Sequence, residues 1–100
     1  MTRTLVVAAM ALSALPIHAQ DNGRNLAAGC AICHGTQGQP AAGAPVIALA
    51  GLPREHIAAQ MRAFRDGQRP ASVMHQIAKG YTDAEIDAMA AWFAAQKRQP

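Results

Sequence analysis

The chain's only two cysteines stand beside a histidine in Cys30-Ala31-Ile32-Cys33-His34. No other stretch narrows the possible folds as far, because each use of such a pair demands different surroundings. A thioredoxin-like redox pair wants a strand–helix–strand context, and no strand pattern competes along this chain. A zinc site needs two further ligands at metal spacing. There are no more cysteines, and His56 and His75 stand 19 positions apart. A disulfide across two intervening residues is strained and adds little to a core. C-x-x-C-H is the attachment signature of c-type haem. On a helix end, thiols three apart lie on one face, where each can add to one haem vinyl group. The histidine that follows then lies under the macrocycle, with an imidazole nitrogen toward the iron.

The size of the available core points the same way. Met1-Thr2-Arg3-Thr4, an apolar run from Leu5 to Leu15 and Pro16-Ile17-His18-Ala19 read as a secretory signal peptide over residues 1–19, with Ala19 the last residue removed. The alternative is an N-terminal anchor, but the run is shorter than the ~20 residues of a spanning helix. Export to the periplasm, cleavage and no stable membrane insertion are the expectation, with a single domain over residues 20–100. Hydrophobic residues make up 51% of the 100-residue chain, but 13 of them lie in that leader and 19 of the other 38 are alanine. So thin an apolar inventory supports one small domain, and one that wants a staple or a cofactor. A multidomain enzyme, a membrane channel and a disulfide-rich toxin scaffold are excluded.

Eight Lys+Arg against six Asp+Glu leave residues 20–100 at +2. With no basic run and no aromatics interleaved among the cations, nothing implies nucleic acid. Arg54, Arg62, Arg65 and Arg69 form either a mild docking patch or a solvated helix face.

Four helical stretches are legible. The first runs from about Asn22 to Cys33, with Asp21 or Asn22 as N-cap. Residues 35–52, rich in Gly, Pro and Ala, read as an irregular loop. Pro53 suits the first turn of a helix reaching Asp66 and stopped by Gly67, its apolar face made by Ile57, Met61 and Phe64. A short helical turn covers Val73 to Lys79 and closes at Gly80. Thr82-Asp83-Ala84-Glu85 is a capping box, followed by the stripe Ile86, Met89 and Phe93 with Trp92 at its flank. The expected fold is small and all-α, wrapped around a long glycine-rich loop.

A haem held by His34 from one side needs its sixth position assigned. Met–iron ligation raises the potential relative to a second histidine. Met61 and Met89 sit in apolar helical stripes, where core packing is the default. Met74 lies outside the long helices, after Arg69-Pro70-Ala71-Ser72, where the chain can cross the second haem face. His75 is the competing ligand.

With these residues in hand, the chain resembles the class I c-type cytochromes, and among them the monohaem cytochrome subunit of flavocytochrome c sulfide dehydrogenase. The resemblance covers nearly all of residues 20–100. It rests on Gly23-Arg24-Asn25-Leu26-Ala27-Ala28 leading into the haem motif, Leu49-Ala50-Gly51-Leu52-Pro53, Phe64-Arg65-Asp66-Gly67-Gln68-Arg69-Pro70 and the segment from Val73 to Asp83. It implies about four helices and a Gly/Pro-rich loop around one covalent haem c, attached through Cys30 and Cys33. It further implies His34 as proximal and Met74 as distal iron ligand, and first and last helices crossing at small residues such as Gly23. Relatives often carry proline two positions before the Leu-Ala-Gly segment, and Ile47 stands there in this chain. The family's proximal imidazole is oriented by a carbonyl of this loop, so the residue that provides it here is left open.

Function then divides three ways. The first is one-electron transfer, with an FAD-containing sulfide dehydrogenase subunit as redox partner, or else as a free-standing diffusible carrier. The chain itself has no G-x-G-x-x-G flavin motif. The second is a haem enzyme or sensor with an open sixth position, for which His75 is the only distal acid–base group. The third is a haem-free binding module held by a Cys30–Cys33 disulfide.

Overall fold

The computed structural model describes residues 18–98, and every regular element among them is helical. In chain order these are α1 (His18–Ala27), α2 (Ala31–His34), α3 (Arg54–Arg65), α4 (Met74–Ala78) and α5 (Asp83–Ala94), with single 3₁₀ turns at Ala28–Cys30 and Thr36–Gly38. The leader read over residues 1–19 lies, apart from its last two residues, outside the described residues.

The first helix departs from expectation at both ends. It begins at His18, so Asp21 and Asn22 lie inside it instead of capping it. Ala19 and Gln20 are good helix formers and carry the helical backbone past the cap signal. The stretch expected to be one helix from Asn22 to Cys33 is divided at Ala28–Cys30, where the bonding tightens to the 3₁₀ pattern. Ala27 (φ −71°, ψ −19°), Cys30 (φ −73°, ψ −22°) and Ala31 (φ −62°, ψ −26°) all remain right-handed. The chain therefore runs on as one rod, and both cysteines lie near its end.

Local signals hold well elsewhere. Pro53 precedes α3 and accepts the first bond from Ile57 N–H at 3.1 Å. At the other end Gln68 N–H donates to Ala63 at 2.9 Å and Gly67 N–H to Phe64 at 3.4 Å. That is a Schellman closure with Gly67 at C′. The capping box at α5 is complete: Glu85 N–H donates to Thr82 Oγ1 at 3.2 Å, and Thr82 N–H to Glu85 Oε1 at 3.0 Å. Behind it the expected stripe Ile86, Met89 and Phe93 is buried.

Helix α5 is the centre of the packing, with α1 and α3 against it and α4 against α3. The α1–α5 crossing is close because position 23 has no side chain. A Cβ on Gly23 would sit 2.7 Å from the Ala88 carbonyl oxygen and 3.3 Å from Trp92 Cβ. Trp92 meets Phe93 edge-on, ring centroids 5.1 Å apart. The glycine-rich loop is fastened beside this crossing. Leu49 and Ala50 N–H both donate to Gly38 O (2.8 and 3.1 Å), and Gly51 N–H donates to Phe93 O at 3.0 Å.

The core is as thin as the composition suggests. Among the described residues, five of the nine buried apolar ones are alanines (Ala27, Ala50, Ala58, Ala78, Ala90), beside Ile57, Ile86, Met89 and Phe93. Large apolar side chains elsewhere stand out in solvent: Ile47 is 61% exposed, Val73 54% and Ile77 39%. These three lie in the glycine-rich loop and around α4, the two segments that carry the candidate site.

Candidate functional site

His34 is the last residue of α2, and the chain leaves it through Gly35 at φ +81°. A side chain at position 35 would collide with the Gln39 carbonyl, so only glycine lets the loop fold back this sharply. The returning loop brings the Ile47 carbonyl within 2.9 Å of His34 Nδ1. A carbonyl oxygen only accepts, so Nδ1 carries the proton and donates. The ring is thereby held in the tautomer that leaves the Nε2 lone pair free for a metal. The position left open in the sequence is settled: Ile47, where relatives often have proline, provides the orienting carbonyl.

Cys30 and Cys33 are both free thiols. Cys30 packs against the core, whereas Cys33 is exposed. Burial, followed by the nearby Cys33, pushes the Cys30 thiol above its usual range, so it is protonated at neutral pH. Tyr81 sits within electrostatic reach of Cys30. Its phenol is raised chiefly by burial, then by Cys30 and Glu85.

Of the three candidate methionines, Met89 is buried in the core at 2% exposure, and Met61 packs on the core's edge. Both do the packing work their stripes suggested. Met74 opens α4, half-buried and outside the core cluster. Its neighbour His75 has Nδ1 enclosed by protein and without a hydrogen-bond partner.

Sequence reasoning left Arg54, Arg62, Arg65 and Arg69 between a docking patch and a solvated face. All four engage neighbours. Arg54 pairs with Glu55 at 3.2 Å. The Arg69 guanidinium lies 4.7 Å from the Phe64 ring centroid and also bonds Gln60. Arg62 reaches Asp83 (3.0 Å) and Asp87 (2.8 Å), and Arg65 reaches Asp66 (3.0 Å) and Asp83 (2.8 Å). Bonds from Arg65 and Arg62 hold the Asp83 carboxyl below the usual aspartate range. This network was not legible beforehand, since its partners lie up to 25 positions apart.

The residues fit a haem. Two free thiols three positions apart and an imidazole with its Nε2 freed by Ile47 could hold a c-type haem, and Met74 is a soft thioether of the kind that can ligate its iron. Met74 and Ile77 share a face of α4 at i, i+3, beside the exposed Val73. A broad apolar group is what such uncovered side chains lack.

Comparison with known proteins decides the family. The family model for cytochrome c oxidase, cbb3-type, subunit III matches residues 19–93. The chain belongs to the class I c-type cytochromes. Its cofactor is haem c. The cytochrome is 44% identical over 73 residues to the thiosulfate dehydrogenase electron acceptor of Thiomonas intermedia, which covers 71% of this chain and 33% of that protein. It is 38% identical over 74 residues to the cytochrome subunit of sulfide dehydrogenase of Chlorobaculum tepidum, covering 74% of this chain and 66% of that one. With cytochrome c-554(548) of Halomonas halodenitrificans it shares 36% over 72 residues, covering 68% and 84%. The cytochrome thus spans about a third of the first relative and just under two thirds of the second.

Proposed function

We propose that this cytochrome is an exported, periplasmic one-electron carrier that accepts electrons from a dehydrogenase oxidising an inorganic sulfur compound. The observation that carries the reading is the His34 Nδ1–H bond to Ile47 at 2.9 Å, immediately after paired free thiols. It presents one imidazole nitrogen, in a fixed tautomer, as the proximal ligand. In this reading residues 1–19 are a cleaved leader, and residues 20–100 form the cytochrome domain. Among the described residues no helix is long and apolar enough to cross a membrane.

Cys30 and Cys33 would hold the cofactor through two thioethers, and His34 Nε2 and the Met74 thioether would be the ligands of its iron. When bound, haem c would supply the redox chemistry, its iron taking up and releasing one electron. The chain's own contribution would be to provide both protein ligands, His34 and Met74, so that gain and loss of an electron would require no ligand exchange. Ile47 holds the His34 ring, and the α1–α5 crossing holds the rod that ends in the haem motif. A methionine ligand sets a higher potential than a second histidine would, as suits an acceptor.

The redox partner in this reading is an FAD-containing sulfide dehydrogenase subunit. Oxidation of sulfide to zero-valent sulfur would release two electrons to the partner's flavin, and the cytochrome would carry them away one at a time to a soluble acceptor. The likeness to the Chlorobaculum tepidum subunit supports it. A second reading, an acceptor for thiosulfate dehydrogenase, is favoured by two relatives so named, 44% and 34% identical. The test is to mix oxidised cytochrome with each enzyme and its substrate and follow the rise of the reduced α-band. Reduction within the enzyme's turnover time by sulfide plus flavoprotein supports the first partner. Reduction only by thiosulfate plus its dehydrogenase replaces that partner with the second. Reduction by neither removes the sulfur reading and leaves a carrier for other periplasmic redox proteins.

A further inference from the structure

Residues 66–82, the segment that carries Met74, leave the end of α3 and return at the start of α5. The first half of the segment is tied to α3. Gln68 and Arg69 N–H both donate to Ala63 O, at 2.9 and 3.1 Å, and Arg69 lies over Phe64. Around Met74 the segment packs on α3, yet within α4 only Ala78 is fully buried, while Ile77 and the preceding Val73 are exposed. The two ends of the segment meet at one carboxylate. Asp83 Oδ1 takes Arg65 Nη1 at 2.8 Å and Arg62 Nε at 3.0 Å, while Arg65 Nε also holds Asp66 at 3.0 Å. One guanidinium thus bridges the first residue of the segment and the first residue after it. The two arginine side chains are 23% and 33% exposed and the Asp83 side chain 65% exposed, so the pairs are open to screening by solvent.

We propose that Asp83, gripped by Arg65 and Arg62, is a positioning residue for Met74: it keeps the neck of the 66–82 segment closed and so limits how often the methionine leaves the iron. The inference rests on Met74 being the distal ligand. The physical basis is chain entropy. With the neck pinned, the departed thioether explores little space and returns. With the ion pairs lost, α3 and α5 stay packed, but the residues joining them to the segment gain freedom and the methionine-off state gains conformations. An isolated ion pair of this kind shifts an equilibrium only modestly. The neck joins two guanidinium groups on one carboxylate, and the expected shift in the methionine-off population is about three- to tenfold. It is electrostatic and therefore salt-dependent, since the Debye length falls from about 10 Å at 0.1 M to about 3 Å at 1 M.

The test uses the ferric holoprotein with imidazole as probe, which occupies the iron only when the methionine is off. Apparent imidazole affinity is measured at low and high salt, together with the weak red absorbance band of methionine-ligated ferric haem. Asp83→Asn is expected to bind imidazole about three- to tenfold more tightly than wild type, and Arg65→Gln to behave alike. Raised salt is expected to tighten imidazole binding in wild type but not in Asp83→Asn. Asp83→Glu is expected to recover most of the wild-type behaviour. Asp87→Asn is the control for a purely structural role. It removes Arg62's second partner (2.8 Å) while leaving the Arg65 bridge between Asp66 and Asp83 in place, and its imidazole affinity is expected to stay within about twofold of wild type. Wild-type imidazole affinity in both Asp83→Asn and Arg65→Gln, with the red band present throughout, overturns the neck and leaves the ligand assignment standing. Equal effects of Asp83→Asn and Asp87→Asn also overturn it. A wild-type protein without the band, or a Met74→Ala variant with unchanged imidazole affinity, overturns the ligand assignment and the neck with it.

Discussion

Three methionines follow the haem motif, and burial separates their roles. Met89 is enclosed by the core and Met61 lies against it, whereas Met74 begins α4 outside it. Met74→Ala is therefore expected to abolish the red band of the ferric protein while leaving the far-ultraviolet circular dichroism close to wild type. Met89→Ala is expected to keep the band and lose about 2–5 kcal/mol in denaturant unfolding, the usual cost of emptying a core site of this size. Met61→Ala keeps the band too. At the proximal side the decisive atom is a main-chain oxygen. Cys30, Cys33 and His34 announce themselves by type and spacing. The Ile47 carbonyl has no side-chain signature, and only the folded loop shows that it reaches Nδ1. The same limit hid the Asp83 neck, whose charges look like ordinary solvated residues until α3 and α5 are packed together.

Helices were legible where their ends carry their own chemistry. The Thr82–Glu85 capping box and the Gly67 closure act within a few residues, so reading them required no tertiary information. The first helix was harder. Its cap signal at Asp21 and Asn22 was overrun by neighbouring helix formers, and its tightening at Ala28–Cys30 leaves no mark in residue type. The crossing of α1 and α5 is the element-level feature with the sharpest consequence. Gly23→Ala places a methyl group 2.7 Å from the Ala88 carbonyl, a main-chain atom that cannot swing aside. The helices must separate, and a loss of about 1–3 kcal/mol in thermal or denaturant unfolding is expected. Full wild-type stability in that variant would show that the crossing is looser than the backbone distances indicate.

For the molecule as a whole, the core of five alanines and four larger side chains is the governing fact. A domain this small gains little from such a core, while Ile47, Val73 and Ile77 remain uncovered around the segments that would face the cofactor. In the proposed reading haem c, bound through both thiols, would add apolar bulk that the side chains lack. Protein carrying Cys30→Ala together with Cys33→Ala is accordingly expected to be largely unfolded at 25 °C, seen as lost helical circular dichroism. A cooperative thermal transition in that protein would show that the core suffices alone. The central claim is that the chain folds around a haem closed on both sides by its own residues, as an electron carrier requires. The most direct test is the absorbance spectrum of the protein exported from a host with haem-attachment machinery, recorded oxidised, reduced and reduced under carbon monoxide. The account predicts low-spin iron in both states, the red methionine band when oxidised, and carbon monoxide binding only by displacement of a ligand. High-spin iron that takes carbon monoxide at a vacant position would contradict it.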